Sequence, residues 1–396
     1  MNASAKQPQI FKSKRVLRRT PLVSLSTVII SALIVAVIGS LPYLLGSDSY
    51  ILLLTGKFLC FAIFALSIDL IWGFTGILSL GQAVYFGIGA YLVALSLKIN
   101  YAMDHPTRYG HKFPDFMEWN GLTALPKFME PLISTPFAVL FALMIPTLLA
   151  FIFGVITFKR HIYGVYCAVI TLAESLILQE FIIEYQAYTG GFNGITDYSN
   201  YVGAPFLWFM LAITVACFLV ARALTHSRIG TVLKSIRDND LRAEFMGYNV
   251  ANYRIFVFCI SAFMSAAAGA MYAAWVGIVS FLDAGPVFSV EGVIWTAVGG
   301  RATLVGAFVG AFLIKGLEFL LSGLLADVWQ LFMGALFIIV VLWMPDGIVG
   351  TIADWVGKWR RGTIGQIRED EDRRAFDQQH HDWAPAGAAK AGEEAP

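Results

Sequence analysis

What most constrains this chain is a series of runs dominated by apolar residues, each close to the roughly 20 residues that an α-helix needs to cross the hydrocarbon core of a bilayer. They fall at 22–45, 50–71, 76–98, 137–158, 162–183, 203–222 and 254–280. The C-terminal third is less regular. Its run at 288–299 is short for a crossing, whereas 303–323 and 328–344 are long enough, so a re-entrant or broken helix is expected there. Irregular backbone at that depth needs a protein or water neighbour. With 58% hydrophobic and 14% charged residues, the composition lies outside the range of soluble domains. The expected fold class is an all-α polytopic membrane protein of about ten transmembrane or re-entrant segments.

The basic residues orient these runs, because Lys and Arg gather in short loops on the cytoplasmic side. Threaded alternately, the runs put four basic groups on one side: the N-terminal arm 1–21, Lys159 with Arg160, the loop 223–253, and a tail carrying Lys358, Arg360 and Arg361. The mixed-charge loop 99–136 falls on the other, extracytoplasmic side. The transmembrane region is 22–350, and the charged, Ala/Gly-rich tail 351–396 is expected to be cytoplasmic and disordered. The run after the basic arm, Val23 to Leu45, is too long for a cleaved signal and reads as a retained first span. The layout predicts a multi-pass membrane protein with both termini cytoplasmic, in contact with lipid.

Several functions are disfavoured. The four cysteines, Cys60, Cys167, Cys217 and Cys259, sit in apolar runs without metal-ligand spacing and read as small core residues. The pair His380 and His381 lies in the polar tail and reads as solvated, since a metal site needs more ligands. No phosphate loop, GxSxG or HExxH pattern occurs, so neither catalysis nor ATP binding by this chain is expected, and no cofactor is implied. Nothing supports a nucleic-acid partner.

Glycine clusters in GFTGILSLGQAVYFGIGAY (Gly73–Tyr91) and in VGGRATLVGAFVGAFL (Val298–Leu313), one in each half, which suggests a weak internal repeat. Two readings stay open. The glycines either let helices pack closely, as at Gly306 and Gly310, or let a helix unwind so that Thr75, Ser79 and Gln82 offer polar groups to a cavity. Ionisable residues inside spans are few. Asp69 reads as a cap or pairing partner, and Lys315 with Glu318, three apart, reads as a local ion pair. Glu174, with Thr171 one turn earlier, either lines a solute path or makes an interhelical hydrogen bond. The turn-rich TGGFNGITDY that follows, with Asn193, Gly194 and Thr196, suits an outer gate or docking surface.

The polar insert SRIGTVLKSIRDNDLRAEFMGYNV (Ser227–Val250) mixes both charge signs with Ile229, Val232, Leu233, Ile236, Leu241, Phe245 and Met246 at partly helical spacing. A purely solvated charge run would not carry that apolar set. It reads as a surface that meets another protein.

Three stretches together resemble the permease subunits of ABC importers for branched-chain amino acids and urea. They are DLIWGFTGILSLGQAVYFGIGAYL (Asp69–Leu92), the insert and its sequel (Ser227–Ala273), and VGGRATLVGAFVGA (Val298–Ala311) with MPDGIVG (Met344–Gly350). Within that family the outer segment KFPDFMEWNGLTALPKF (Lys112–Phe128) and TGGFNGITDY are most similar to the urea-type second permease. The resemblance implies a permease subunit for urea or short amides, with branched-chain amino acid transport as the alternative. It further implies a second, unlike permease subunit, two ATPase subunits that bind the ATP, an extracytoplasmic solute-binding protein, and a place in a bacterial plasma (inner) membrane. A helix around Ile236–Met246 would seat in the ATPase, with Ala243, Glu244 and Gly247 matching the family's coupling loop. Arg237 and Asp238 suit cross-interface pairs, and Phe245 and Met246 suit apolar anchors. A self-contained ion-driven transporter or channel working through Glu174 or Asp69 is the remaining alternative.

Overall fold

The computed structural model describes residues 50–325 apart from 107–110 and 199–200, together with scattered positions between 331 and 355. The basic arm 1–21, the first span 22–45, and most of the 328–344 span and the 351–396 tail lie outside the described residues. The described part is helical, and its one β-type pairing is an isolated bridge between Ile195 and Val279.

Among the described residues, six helices are long and apolar enough to cross a membrane. They are α1 (Tyr50–Ile68, continued by a π-helical turn Asp69–Gly73), α2 (Gln82–Asp104), α3 (Thr135–Phe158), α4 (Val165–Glu184), α5 (Ala204–His226) and, after a polar segment, α8 (Val250–Val276). The polar segment folds as α6 (Arg228–Asp238) and α7 (Asp240–Phe245). After α8 come a 3₁₀ turn at Phe281–Ala284, the short α9 (Pro286–Gly299) and α10 (Val305–Leu325). At 1.5 Å per residue the 14 residues of α9 span about 21 Å, less than the about 30 Å of hydrocarbon, so this is the broken element expected in the C-terminal third.

Burial separates centre from periphery. The apolar windows of α1 and α2 are 72% and 89% buried, those of α3, α4 and α5 only 22%, 28% and 33%. Hydrophobic side chains with no water to avoid gain nothing from burial in lipid, so the outer helices can present Phe137, Leu140, Met144, Leu148 and Phe151 outward as one stripe. At the centre α8 packs on α2 and α1. An aromatic cluster joins α1, α2 and α9: Phe64 stacks on Phe288 at 4.7 Å between centroids, and Phe61 meets Trp295 at 5.2 Å.

The second glycine cluster serves close packing where α9 crosses α10. A Cβ on Gly310 would collide with the carbonyl oxygen of Trp295. The first cluster instead unwinds: residues 76–81 are not helical, and α2 starts at Gln82 rather than at 76. Lys315 pairs with Glu318 at 2.7 Å as its spacing predicts, and also with Glu291 of α9 at 2.9 Å.

The chain therefore has two ends. One gathers Gly73, α6, α7, the α3–α4 turn at His161 and the α9–α10 turn. The other gathers the short helix Asp115–Trp119, the 191–197 loop and Val279. Replacing Gly310 by Leu forces α9 and α10 apart, an overpacking cost of about 1–3 kcal/mol. A lower midpoint of thermal unfolding in detergent is the expected readout, and an unchanged midpoint would contradict this packing.

Candidate functional site

The insert folds as two capped helices rather than as one helix around Ile236–Met246. Asn239 is extended (φ −162°), and its side chain accepts the Arg242 amide at 2.9 Å, which ends α6 and starts α7 in one residue. Ser227 caps α6 and Asn249 caps α8 in the same way. After α7, Gly247 (φ +88°) lets the Tyr248 amide reach the Ala243 carbonyl and its own amide reach that of Glu244, a closed C-terminal turn that needs the left-handed conformation.

The apolar residues of the insert split into two sets. Leu233, Ile236 and Ala243 are buried, fastening the segment to the bundle, while Leu241 and Met246 are 64% and 68% exposed and Phe245 is 92% exposed. Polar contacts anchor the same segment. Arg254 of α8 is buried, lies 3.4 Å from Asp240 and sits over the Tyr163 ring at 3.8 Å, and Glu244 is 3.9 Å from His161. Thus Lys159 and Arg160, beside His161, share an end of the bundle with the insert, as the charge pattern predicts.

Arg237, an exposed residue, reaches back to the bundle. Its guanidinium donates to the Gly73 carbonyl at 2.9 Å and to the exposed Asp238 at 3.1 and 3.2 Å. This uses within the chain the donors that sequence alone offers to a partner, because α6 runs directly beneath the end of α1. Lys234 lies over the Phe74 ring at 5.7 Å in the same contact.

The solute-path candidates come together around the unwound 76–81 segment. Thr171 accepts the Leu80 amide at 3.0 Å, and Ser289 of α9 accepts the Ala83 amide at 2.9 Å. Ser79 faces the Gly81 amide at 3.4 Å, and Thr75 bonds back to the Ile71 carbonyl at 2.5 Å. The Gln82 amide donates to Ser261 at 3.0 Å, and its backbone carbonyl accepts from Ser265 at 3.0 Å. Its Oε1 is buried without a partner among the described residues. Glu174 accepts from the Tyr85 hydroxyl at 3.2 Å, the interhelical bond of the second reading above. All of these except half-buried Glu174 are sealed from solvent in this conformation. An apolar cavity of about 320 Å³ between α2, α3, α5 and α8 includes none of them in its lining.

At the opposite end, Asn193 is exposed on a 3₁₀ turn. Gly194 is buried against the carbonyl of Val279, and Thr196 bonds to Asp197 at 3.1 Å. The loop is tied to the α8–α9 connection by the Ile195–Val279 pair and by Phe192 on Phe281 at 4.8 Å. Lys98, which sequence reading passed over, pairs with Asp115 at 3.0 Å and donates to the Asp197 carbonyl at 3.2 Å, so it joins the 99–136 segment to this loop. Ser289 and Tyr85 were equally illegible, since their partners lie 206 and 89 residues away and nothing local marks them.

Long apolar helices, a short broken helix and unwound glycine segments packed together define a multi-pass helical membrane protein. Residues 50–341 match the family described as "Branched-chain amino acid transport system / permease component", and the chain belongs to that family. It is a transport subunit of the ABC transporter class and not an enzyme. Among curated relatives, the high-affinity branched-chain amino acid transport system permease protein LivM of Salmonella typhimurium is 24% identical over 324 residues, covering 73% of this chain and 67% of that protein. The ribose import permease protein RbsC of Haemophilus influenzae is 25% identical over 224 residues, 53% of this chain and 68% of its own. The probable LivM of Methanocaldococcus jannaschii is 23% identical over 321 residues, 72% of this chain and 89% of its own. No solved structure matches.

Thr171→Val removes the acceptor of the Leu80 amide and leaves a buried N–H unpaired, at about 1–3 kcal/mol. The expected result is a lowered unfolding midpoint for Thr171→Val and a retained one for Thr171→Ser, which keeps the hydroxyl.

Proposed function

We infer that this chain is one of two unlike permease subunits of an ATP-driven importer, and that α6 and α7 dock on an ATPase subunit at the cytoplasmic face. The observation that carries this reading is the exposed patch Leu241, Phe245 and Met246, held out on a segment whose other face is capped, buried and ion-paired. Such a patch is energetically unfavourable in water and fits a partner's pocket, with Asp238 and Arg242 at its rim. ATP-driven closure of the ATPases then moves this segment against the bundle and switches solute access between the two faces. The basic groups gathered at this end support a cytoplasmic location for it, and the 191–197 loop then meets a solute-binding protein outside.

For the solute, a branched-chain amino acid is the better supported reading. The family and the LivM relatives carry that substrate in their names, and neither they nor the ribose permease names urea or an amide. Urea is the second reading. It rests on the outer segment Lys112–Phe128, whose Phe116 and Met117 are packed into the core. The ion-driven alternative has no support in the family.

Vesicles holding the full complex are expected to take up leucine with ATP dependence, with valine and isoleucine competing. Urea uptake indifferent to leucine would overturn the amino acid reading. Phe245→Asp should lower the affinity of the permease for the ATPase subunits at least tenfold while membrane insertion persists. Undiminished docking would remove the role given to this patch.

A further inference from the structure

The turn between α9 and α10 is strained and is held by one carboxylate. Ala302 (φ +64°) and Leu304 (φ +50°) both adopt left-handed backbone, which is unfavourable for a non-glycine residue. Their amides are taken by the two oxygens of one side chain: Asp69 Oδ1 accepts from Ala302 at 2.6 Å and Oδ2 from Leu304 at 3.0 Å. Asp69 is fully buried and lies 233 and 235 residues away in sequence from these amides. It begins the π-helical turn Asp69–Gly73, a form often found at functional sites.

The other end of that turn is gripped by the insert. Arg237 of α6 donates to the Gly73 carbonyl at 2.9 Å, and Arg301, beside the strained turn, lies over the Trp72 ring at 5.2 Å. One short π turn thus connects α6, the start of the first glycine segment and the second glycine segment. A displacement of α6 pulls on Gly73. Because Asp69 is one turn away, the pull changes the alignment of two charge-assisted bonds on which a left-handed turn depends.

We propose that Asp69 and Arg237 are positioning residues for coupling, forming a relay by which movement of α6 resets the α9–α10 turn and with it the packing of both glycine segments. The proposal rests on the docking role of α6 and α7 given above, and adds the route inward from it. It also accounts for a carboxylate in a span, where insertion costs several kcal/mol unless the charge has a task or partners.

The test uses the complete transporter in vesicles, with docking affinity, ATP hydrolysis and uptake measured on the same preparations. Asp69→Asn replaces one acceptor by an amide that cannot accept, and Arg237→Ala removes the grip on Gly73. Both are expected to lower solute moved per ATP hydrolysed at least tenfold, with docking affinity changed less than twofold. Arg237→Lys, which still donates to the Gly73 carbonyl, is expected to restore most of the ratio. Hydrogen exchange supplies a second readout that does not depend on transport. In Arg237→Ala, a variant altered at the rim of the fold, the peptide spanning 298–306 should exchange about tenfold faster. An unchanged transport-to-ATP ratio, or unchanged exchange in that peptide, would overturn the relay. The outcomes separate from those of the docking reading: if Phe245→Asp weakens docking as expected while these variants stay coupled, the relay alone fails.

Discussion

A buried backbone that leaves helical geometry must find hydrogen-bond partners within the protein, and the architecture here is arranged around that requirement. Two places break the ladder: the 76–81 segment before α2, and residues 300–304 between α9 and α10. At the first, Thr171 and Ser289 reach across from α4 and α9 to take free amides. At the second, Asp69 takes two at once. The same contacts tie α1, α2 and α9 to one another, to the outer α4 and to the start of α10. That explains why α1 and α2 are buried on nearly all sides, whereas α3 to α5 can turn apolar side chains outward.

Charge is handled by the same economy. Where α9 meets α10, the buried Lys315 lies between Glu291 and Glu318. At the bundle's end the insert is fastened by Arg254 between Asp240 and Tyr163 and by Arg237 on Gly73. A segment anchored at several points on one face and apolar on its exposed face is suited to transmit a push. A loosely tethered loop would absorb it.

Much of this was legible in sequence because it depends on local spacing. The three-residue separation of Lys315 and Glu318 sets an ion pair on any helix, the glycines around Gly310 foretell a close crossing, and the short run at 288–299 foretells a broken helix. The helix break at Asn239 was harder. Its signal, an Asn before Asp-Leu-Arg, is that of a cap, but it competes with an apolar spacing that runs on through both helices. Arg237 was legible as a charge, but its direction was not, because inward and outward placement differ only in where the end of α1 lies.

Sequence by itself determined the class of protein and, among the described residues, where six apolar spans and the polar insert fall, since each follows from the length of apolar runs and the cost of placing charge in hydrocarbon. Tertiary structure alone decided which polar groups far apart in sequence meet. Asp69 finds amides more than 230 residues away, Ala83 finds Ser289, and Glu174 finds Tyr85. No periodicity encodes such pairings, because they are fixed by how helices cross, and that crossing is the summed result of packing over the whole bundle.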